Sequence, residues 1–362
     1  MRVTIERIEV TPLSVPLLEP FVIATGRIDV TRAVLVRATL ANAQGARATG
    51  LGEAAALPPV TAEDQPDVLA ALQDAVPAFV GRAWSTSAEL ATELETGDLA
   101  SRPVARAGLE CALLDAWARL VGQPLCSFLT GAPPRVLYTD ITLPIGEPAH
   151  MLELARHHYA NGFRVFKVKI GKAIDQDLRA LTDIASALGD ARFRLDANAA
   201  FSADQALWLL ERVQRAGIVL ECFEQPCARD DLVGMATLSR AASVPVVADE
   251  SVRTLEDLER IYAAGAAGGV NLKLAKSGGL MAALRIGQRA QELGLRVMCG
   301  GMVETRLGMA SMGHLACALG GADYVDLDTA FLLASDPFAG GYAERGPELS
   351  FAGDPGHGVE LR

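Results

Sequence analysis

Eight short apolar runs recur along the last two thirds of the chain, at residues 136–143 (VLYTDITL), 163–170 (FRVFKVKI), 193–197 (FRLDA), 219–224 (VLECFE), 244–249 (VPVVAD), 269–274 (GVNLKL), 295–300 (LRVMCG) and 323–328 (DYVDLD). Runs of this length with few polar interruptions are the signature of strands buried on both faces. Each interval between them holds a stretch with helical apolar spacing, such as DLRALTDIASALG after the second run and ADQALWLLERVQRAG after the third. Strand and helix alternating about every 25 residues through eight strands predict a (β/α) barrel with a modified eighth unit, that is, a modified TIM barrel of (β/α)7β form. The rival, a doubly wound open sheet, usually carries a glycine-rich first turn. No Gly-x-Gly-x-x-Gly follows the first run.

The first 125 or so residues follow a different pattern. IERIEVTPLSV, VTRAVLVRATL and ATGLGEAA alternate as strands do, whereas residues 63–80 and 103–121 have helical spacing, which together make an α+β pattern. Gly131-Ala-Pro-Pro134 then punctuates the chain. The expected division is an α+β domain over residues 1–130, the barrel over 131–330 and a C-terminal segment over 331–362.

Composition narrows the partners. The 362 residues are half hydrophobic and carry a formal net charge of -11, so no basic footprint for nucleic acid or anionic lipid is present. Small molecules are the expected partners, with a homo-oligomer as the expected assembly. The opening MRVTIERIEV places charges where a signal peptide needs an apolar run, and no run is long enough to span a bilayer, so a cytoplasmic protein is expected. Six scattered cysteines without a Cys-x-x-Cys pair read as reduced, buried thiols.

Active sites of such barrels lie at the carboxyl ends of the strands. There the sequence places Lys167-Val-Lys169, Asp196-Ala-Asn198, Glu224-Gln-Pro226, Asp249-Glu-Ser251, Lys273 and Asp326-Leu-Asp328. Asp196, Glu224 and Asp249 end three consecutive strands, so three carboxylates share one rim and repel unless a cation joins them. All-oxygen ligands without histidine or cysteine suit Mg²⁺ or Mn²⁺ rather than zinc. Strands 2 and 6 face each other across a closed eight-stranded barrel, so Lys169 and Lys273 would flank a substrate from opposite sides. Either lysine becomes a base if a nearby cation, including the metal or Lys167, lowers its pKa toward neutrality. A carboxylate substrate on the metal would then lose its α-proton to give an enediolate, with Lys167 adding fixed positive charge.

These motifs, together with Ala248-Asp249-Glu250-Ser251 and Asn271-Leu-Lys273-Leu-Ala-Lys276-Ser-Gly-Gly279, resemble the enolase superfamily and within it the muconate-lactonizing subgroup over essentially the whole chain. The resemblance implies a capping domain built from the N-terminal region and the C-terminal tail. It also implies Mg²⁺ at Asp196, Glu224 and Asp249, and acid/base roles for Lys169 and Lys273. Asp326-Leu-Asp328 looks like the Asp-x-Asp by which dipeptide epimerases bind a substrate's free ammonium, so the expected reaction is epimerisation of a dipeptide beside its carboxylate. The resemblance assigns side-chain contact to the loop around Pro20 to Arg27, with Arg27 the candidate basic residue. Gly26 stands where the basic residue of Ala-Glu epimerases would align, so a small or hydrophobic second residue stays open beside L-Ala-D/L-Glu. Glu304 is similar to a family position near Lys273. The alternatives are an N-acylamino-acid racemase or o-succinylbenzoate synthase of the same superfamily, and a non-catalytic, barrel-derived binding protein. Asp326 with Asp328 argues against the first two, and the intact lysines and ligands against the third.

Overall fold

A computed structural model describes all of residues 1–362. The first part of the chain folds as an antiparallel sheet in the order Arg47–Ala56, Arg32–Asn42, Val3–Leu13, Ala83–Trp84. Helix Pro103–Val121 packs on it, buried from Val104 to Ala118 except at Arg106. A helix apolar on nearly all sides is one covered on nearly all sides, and this one lies between the sheet and the barrel. Its approach to the sheet is so close that a Cβ on Gly52 would stand 2.1 Å from the Gly108 carbonyl oxygen. On the barrel side Arg106 donates to the Gly278 carbonyl at 2.9 Å, and Glu110 accepts from Met281 N at 3.0 Å.

Eight parallel strands form the second body: Ile141–Leu143, Val165–Lys169, Arg192–Asp196, Leu220–Glu224, Val246–Ala248, Gly269–Leu272, Arg296–Gly300 and Tyr324–Asp326, neighbours in that order. A single main-chain bond, Asp140 N to Val325 O at 3.1 Å, joins the last strand to the first, so the barrel is nearly closed. One cluster of 96 buried residues runs from Val3 to Val359, so cap and barrel share a hydrophobic core.

Two elements differ from the sequence expectation. The run 136–143 is not one strand: Val136–Tyr138 pairs antiparallel with Glu348–Phe351, and only Ile141–Leu143 enters the barrel. The partner that claims the first half lies some two hundred residues away, which local pattern cannot reveal. Residues 16–30, unassigned by periodicity, form a hairpin of Pro16–Ile23 with Gly26–Val30. It lies over the barrel mouth, where Val15, Leu17, Phe21 and Ile23 pack with Val303 and Leu333 in a small core of their own. Ile145 N donates to Val22 O at 2.9 Å and ties the hairpin to the loop after the first barrel strand. The tail returns to the cap, where Arg119 donates to Val359 O at 2.8 Å and His357 N to Asp115 Oδ1 at 2.8 Å. All six cysteines are free and buried, and no helix is long and apolar enough to cross a membrane.

Candidate active site

Parallel register assembles the site. Asp196 stands opposite Lys169 on one side and Glu224 on the other, so the three side chains leave the barrel in one layer. Asp249 follows directly on the next strand, and Gln225 fixes it: the buried carboxamide accepts from Asp249 N at 2.8 Å and Ser251 N at 3.2 Å while donating to Ser251 Oγ at 2.8 Å. Gln225, Asn198 and Ala199 take positive φ angles of 32°, 42° and 65°. Such left-handed residues other than glycine are uncommon and gather where geometry serves a site.

The three carboxylates have no exposed surface, and lysines meet each of them. Lys167 Nζ lies 2.7 Å from Glu224 Oε2, 3.2 Å from Asp196 Oδ2 and 2.7 Å from Asp326 Oδ2. Lys169 Nζ donates to Asp196 Oδ2 at 2.5 Å, and Lys273 Nζ to Asp249 Oδ2 at 2.8 Å. Above them lies a cavity lined by Lys167, Lys169, Lys273, Asn198, Asp326 and Asp328 on the barrel side. Phe21 and Ile23 of the hairpin, Leu57 and Val60 of the cap, and Met302 and Val303 after the seventh strand close it from the other side.

Lys167 joins the metal-ligand candidates to a second acidic group, in which carboxylate oxygens of Asp140, Asp326 and Asp328 lie within 4.8 Å of one another. Arg194 donates to Asp140 at 2.8 Å and Lys167 balances Asp326. Asp328 has no cation: Thr142 N donates to its Oδ2, and its buried Oδ1 has no partner.

Two domains of known families cover this chain. Residues 7–130 match the mandelate racemase / muconate lactonizing enzyme N-terminal domain, and residues 150–362 the enolase C-terminal domain-like family. The chain belongs to the enolase superfamily. It is 39% identical to an L-Ala-D/L-amino acid epimerase of Populus trichocarpa over 98% of this chain and 84% of that one. It is 37% identical to an aromatic dipeptide epimerase of Herpetosiphon aurantiacus, covering 100% of both. The crystal structure of a dipeptide epimerase from Cytophaga hutchinsonii, complexed with Mg and D-Ala-L-Val, superposes with a TM-score of 0.91 at 27% identity, over 99% of this chain and 96% of that one. These relationships make this enolase-superfamily member an isomerase.

Charge sets the protonation states in this superfamily site. Burial alone would lower the Lys167 pKa, but Asp326, Glu224, Asp196 and Asp140 outweigh it and hold the ammonium well above its ordinary value. Lys273 is likewise raised, because Asp249 and Glu224 overcome its desolvation. Without a cation among them, the carboxylates facing Lys273 favour its charged form. Burial raises the Asp328 carboxyl to about 6, with Asp326 adding to the shift. Glu224 is raised by burial and then by Asp196, whereas Asp249 is held well below the usual range because Lys273 and Lys276 overcome its burial.

The carboxylate set fits a hard cation. Its donors are all oxygen, all buried, and Glu224 Oε2 receives no hydrogen bond despite the Lys167 ammonium beside it.

Two expected residues do not line the cavity. Arg27 does not reach the cavity; it points to solvent and pairs with Asp29 at 2.8 Å. Glu304 is buried behind the cavity wall, accepting from Met302 N at 2.9 Å, with its carboxyl pushed up to about 7 by burial against the pull of its hydrogen bond and of Lys273. Glu53 of the cap lies near it, bound to Thr305 and Gly308 and raised to about 8 by burial and by Glu304.

Three contributors were given no role from sequence. Lys276 Nζ bonds Asp249 Oδ1 at 2.6 Å and Asn271 O at 2.7 Å, and Asn271 Nδ2 donates to Glu224 Oε1 at 2.7 Å. Thr142 holds Asp328. The signal for the first two was present, since Asn271 is a polar residue inside the sixth apolar run and Lys276 lies just beyond it, both in the motif quoted above.

Proposed function

We propose that this chain epimerises dipeptides at the α-carbon beside the carboxylate, with a free amino terminus and a hydrophobic second residue. The observation that carries the reading is the cavity itself. Lysines from opposed strands enter it together, and an unpartnered, buried Asp328 oxygen waits at its end. The kinship with enzymes named as dipeptide epimerases supports it.

Asp196, Glu224 and Asp249 would hold Mg²⁺. When bound there, the ion supplies positive charge to the substrate carboxylate and offsets the anionic charge that keeps Lys273 protonated. Lys169 and Lys273 stand on either side of the α-carbon, one neutral and one protonated. The neutral amine takes the α-proton, the electron pair of the broken C–H bond moves onto the carboxylate, and the opposite ammonium returns a proton to the other face. Lys167, tied to three carboxylates, stays charged and holds the layer together. Asp326 and Asp328 receive the substrate's ammonium, which gives Asp328 Oδ1 the donor it lacks.

The side chain on the reacting carbon meets the apolar lid of Phe21, Ile23, Leu57 and Val60, with no cation to pair a glutamate. An N-acylamino-acid racemase would share the lysines but leave Asp328 unpaired. The deciding test measures deuterium uptake from D₂O into L-Ala-L-Leu and into its N-acetyl derivative. Uptake confined to the free amine is expected; equal uptake would favour the N-acyl reading.

A further inference from the structure

Beside the catalytic cavity lies a second hollow of about 390 Å³ that the chemistry above does not use. Its walls mix apolar groups, Leu18 and Pro20 from the hairpin, Pro144 after the first barrel strand, Leu154 on helix Pro148–Ala160, and Phe331 and Leu332 after the eighth strand, with the imidazoles of His157 and His158 on the same helix. Leu18 is 66% exposed at its mouth, an apolar side chain left facing water. On the rim His150 Nε2 lies 2.9 Å from Glu19 Oε2, and Glu153 turns to solvent.

The hollow shares one partition with the catalytic cavity, formed by Phe21 and Thr142. Thr142 is also the residue whose amide holds Asp328. On the dipeptide reading, the substrate's ammonium rests on Asp326 and Asp328, one bond from the α-carbon of its first residue. The side chain of that residue therefore leaves the cavity beside Thr142, where the hollow begins. We infer that the hollow receives the side chain of the dipeptide's N-terminal residue, and that this residue is bulky and apolar, of leucine or phenylalanine size. The ring of Phe21 is the partition that turns aside to admit it. An N-terminal alanine is too short to reach the walls.

This inference rests on the dipeptide reading, and the experiment separates the two. Epimerisation of X-L-Leu with X as alanine, leucine, phenylalanine, lysine or glutamate is compared by kcat/KM on the wild type and on two variants that fill the hollow. Leu154→Trp fills it from the helix, and His150→Trp from the exposed rim, where folding is not at stake. Leucine and phenylalanine should exceed alanine by roughly tenfold or more, the scale on which apolar pockets discriminate. Both variants should collapse the leucine-to-alanine ratio toward one, with thermal denaturation showing an intact fold. Equal rates for alanine and leucine, a ratio unchanged in a folded variant, or a preference for lysine or glutamate overturns the hollow's assignment alone. Absence of turnover with every free dipeptide overturns the dipeptide reading and the inference with it.

Discussion

The two walls of the catalytic cavity are built on opposite principles. The barrel wall is charged, crowded and tied down by backbone register: Lys169, Asp196 and Glu224 are held abreast by strand pairing, and each of these three has a partner of opposite sign. The cap wall is apolar and rests on a two-stranded hairpin, held by side-chain packing and a few main-chain bonds. Charges buried in a low dielectric demand rigid geometry, since an unpaired one is strongly destabilising. Apolar contact is non-directional and tolerates changes of shape. The barrel wall therefore fixes the chemistry, and the cap wall sets which side chain is accepted.

The largest effect should come from breaking the barrel wall. Glu224→Gln, or chelation of the wild type, is expected to lower kcat/KM about a thousandfold or more, because a metal's stabilisation of developing charge is worth several kcal/mol. Metal binding followed by calorimetry should weaken in parallel. Full activity in chelated protein would detach the carboxylates from the reaction.

The next effect concerns the end of the cavity. Asp326→Asn with Asp328→Asn should erase most of the preference for a free amine over its N-acetyl form, a preference expected to be roughly a hundredfold since breaking a buried charge pair costs about 3 kcal/mol. A double variant with undiminished preference would move the ammonium site elsewhere.

Changes in the cap wall should alter selectivity more than rate. Ile23→Ala is expected to lower kcat/KM for a leucine second residue roughly tenfold through lost apolar contact. Arg27→Ala should change the ratio of glutamyl to leucyl substrates by less than about twofold, because Arg27 is a surface partner of Asp29. A loss of glutamyl activity in that variant would bring Arg27 into the site.

A smaller effect tests the joint between cap and barrel. Glu110, on the cap helix, accepts from Met281 on the barrel, and burial raises its carboxyl to about 7. A raised carboxyl favours the folded state fully below the unfolded value, and that stability is lost as pH rises through 7. Glu110→Gln should therefore stabilise the protein relative to wild type at pH 8, by about 2 kcal/mol or less and visible as a higher thermal midpoint, and hardly at pH 4. An equal difference at both pH values would show that the carboxyl does not titrate in the fold.

The same contrast explains what could be read from the sequence. Strands buried on both faces are continuous apolar runs, so the barrel and its charged strand ends were visible, and Asp196, Glu224, Asp249, Lys169 and Lys273 followed from their places on consecutive or opposed strands. The hairpin was not visible, because its partner faces are short and half exposed. Its geometry decides the place of Arg27: cross-strand partners share a face, and Arg27 pairs with Val22, whereas Phe21 and Ile23 face the cavity opposite Ile28 and Gly26. A one-residue difference in register thus turns the only nearby cation of the hairpin away from the substrate.

The most direct measurement of the central claim follows the α-proton of each stereoisomer of a reactive dipeptide in D₂O, in Lys169→Ala and in Lys273→Ala. With a lysine on either face, both variants should lose epimerisation, and each should still wash deuterium into only the isomer whose proton faces the surviving lysine, a different isomer in each. Epimerisation at the wild-type rate in either variant, or deuterium entering the same isomer in both, would contradict a two-lysine site.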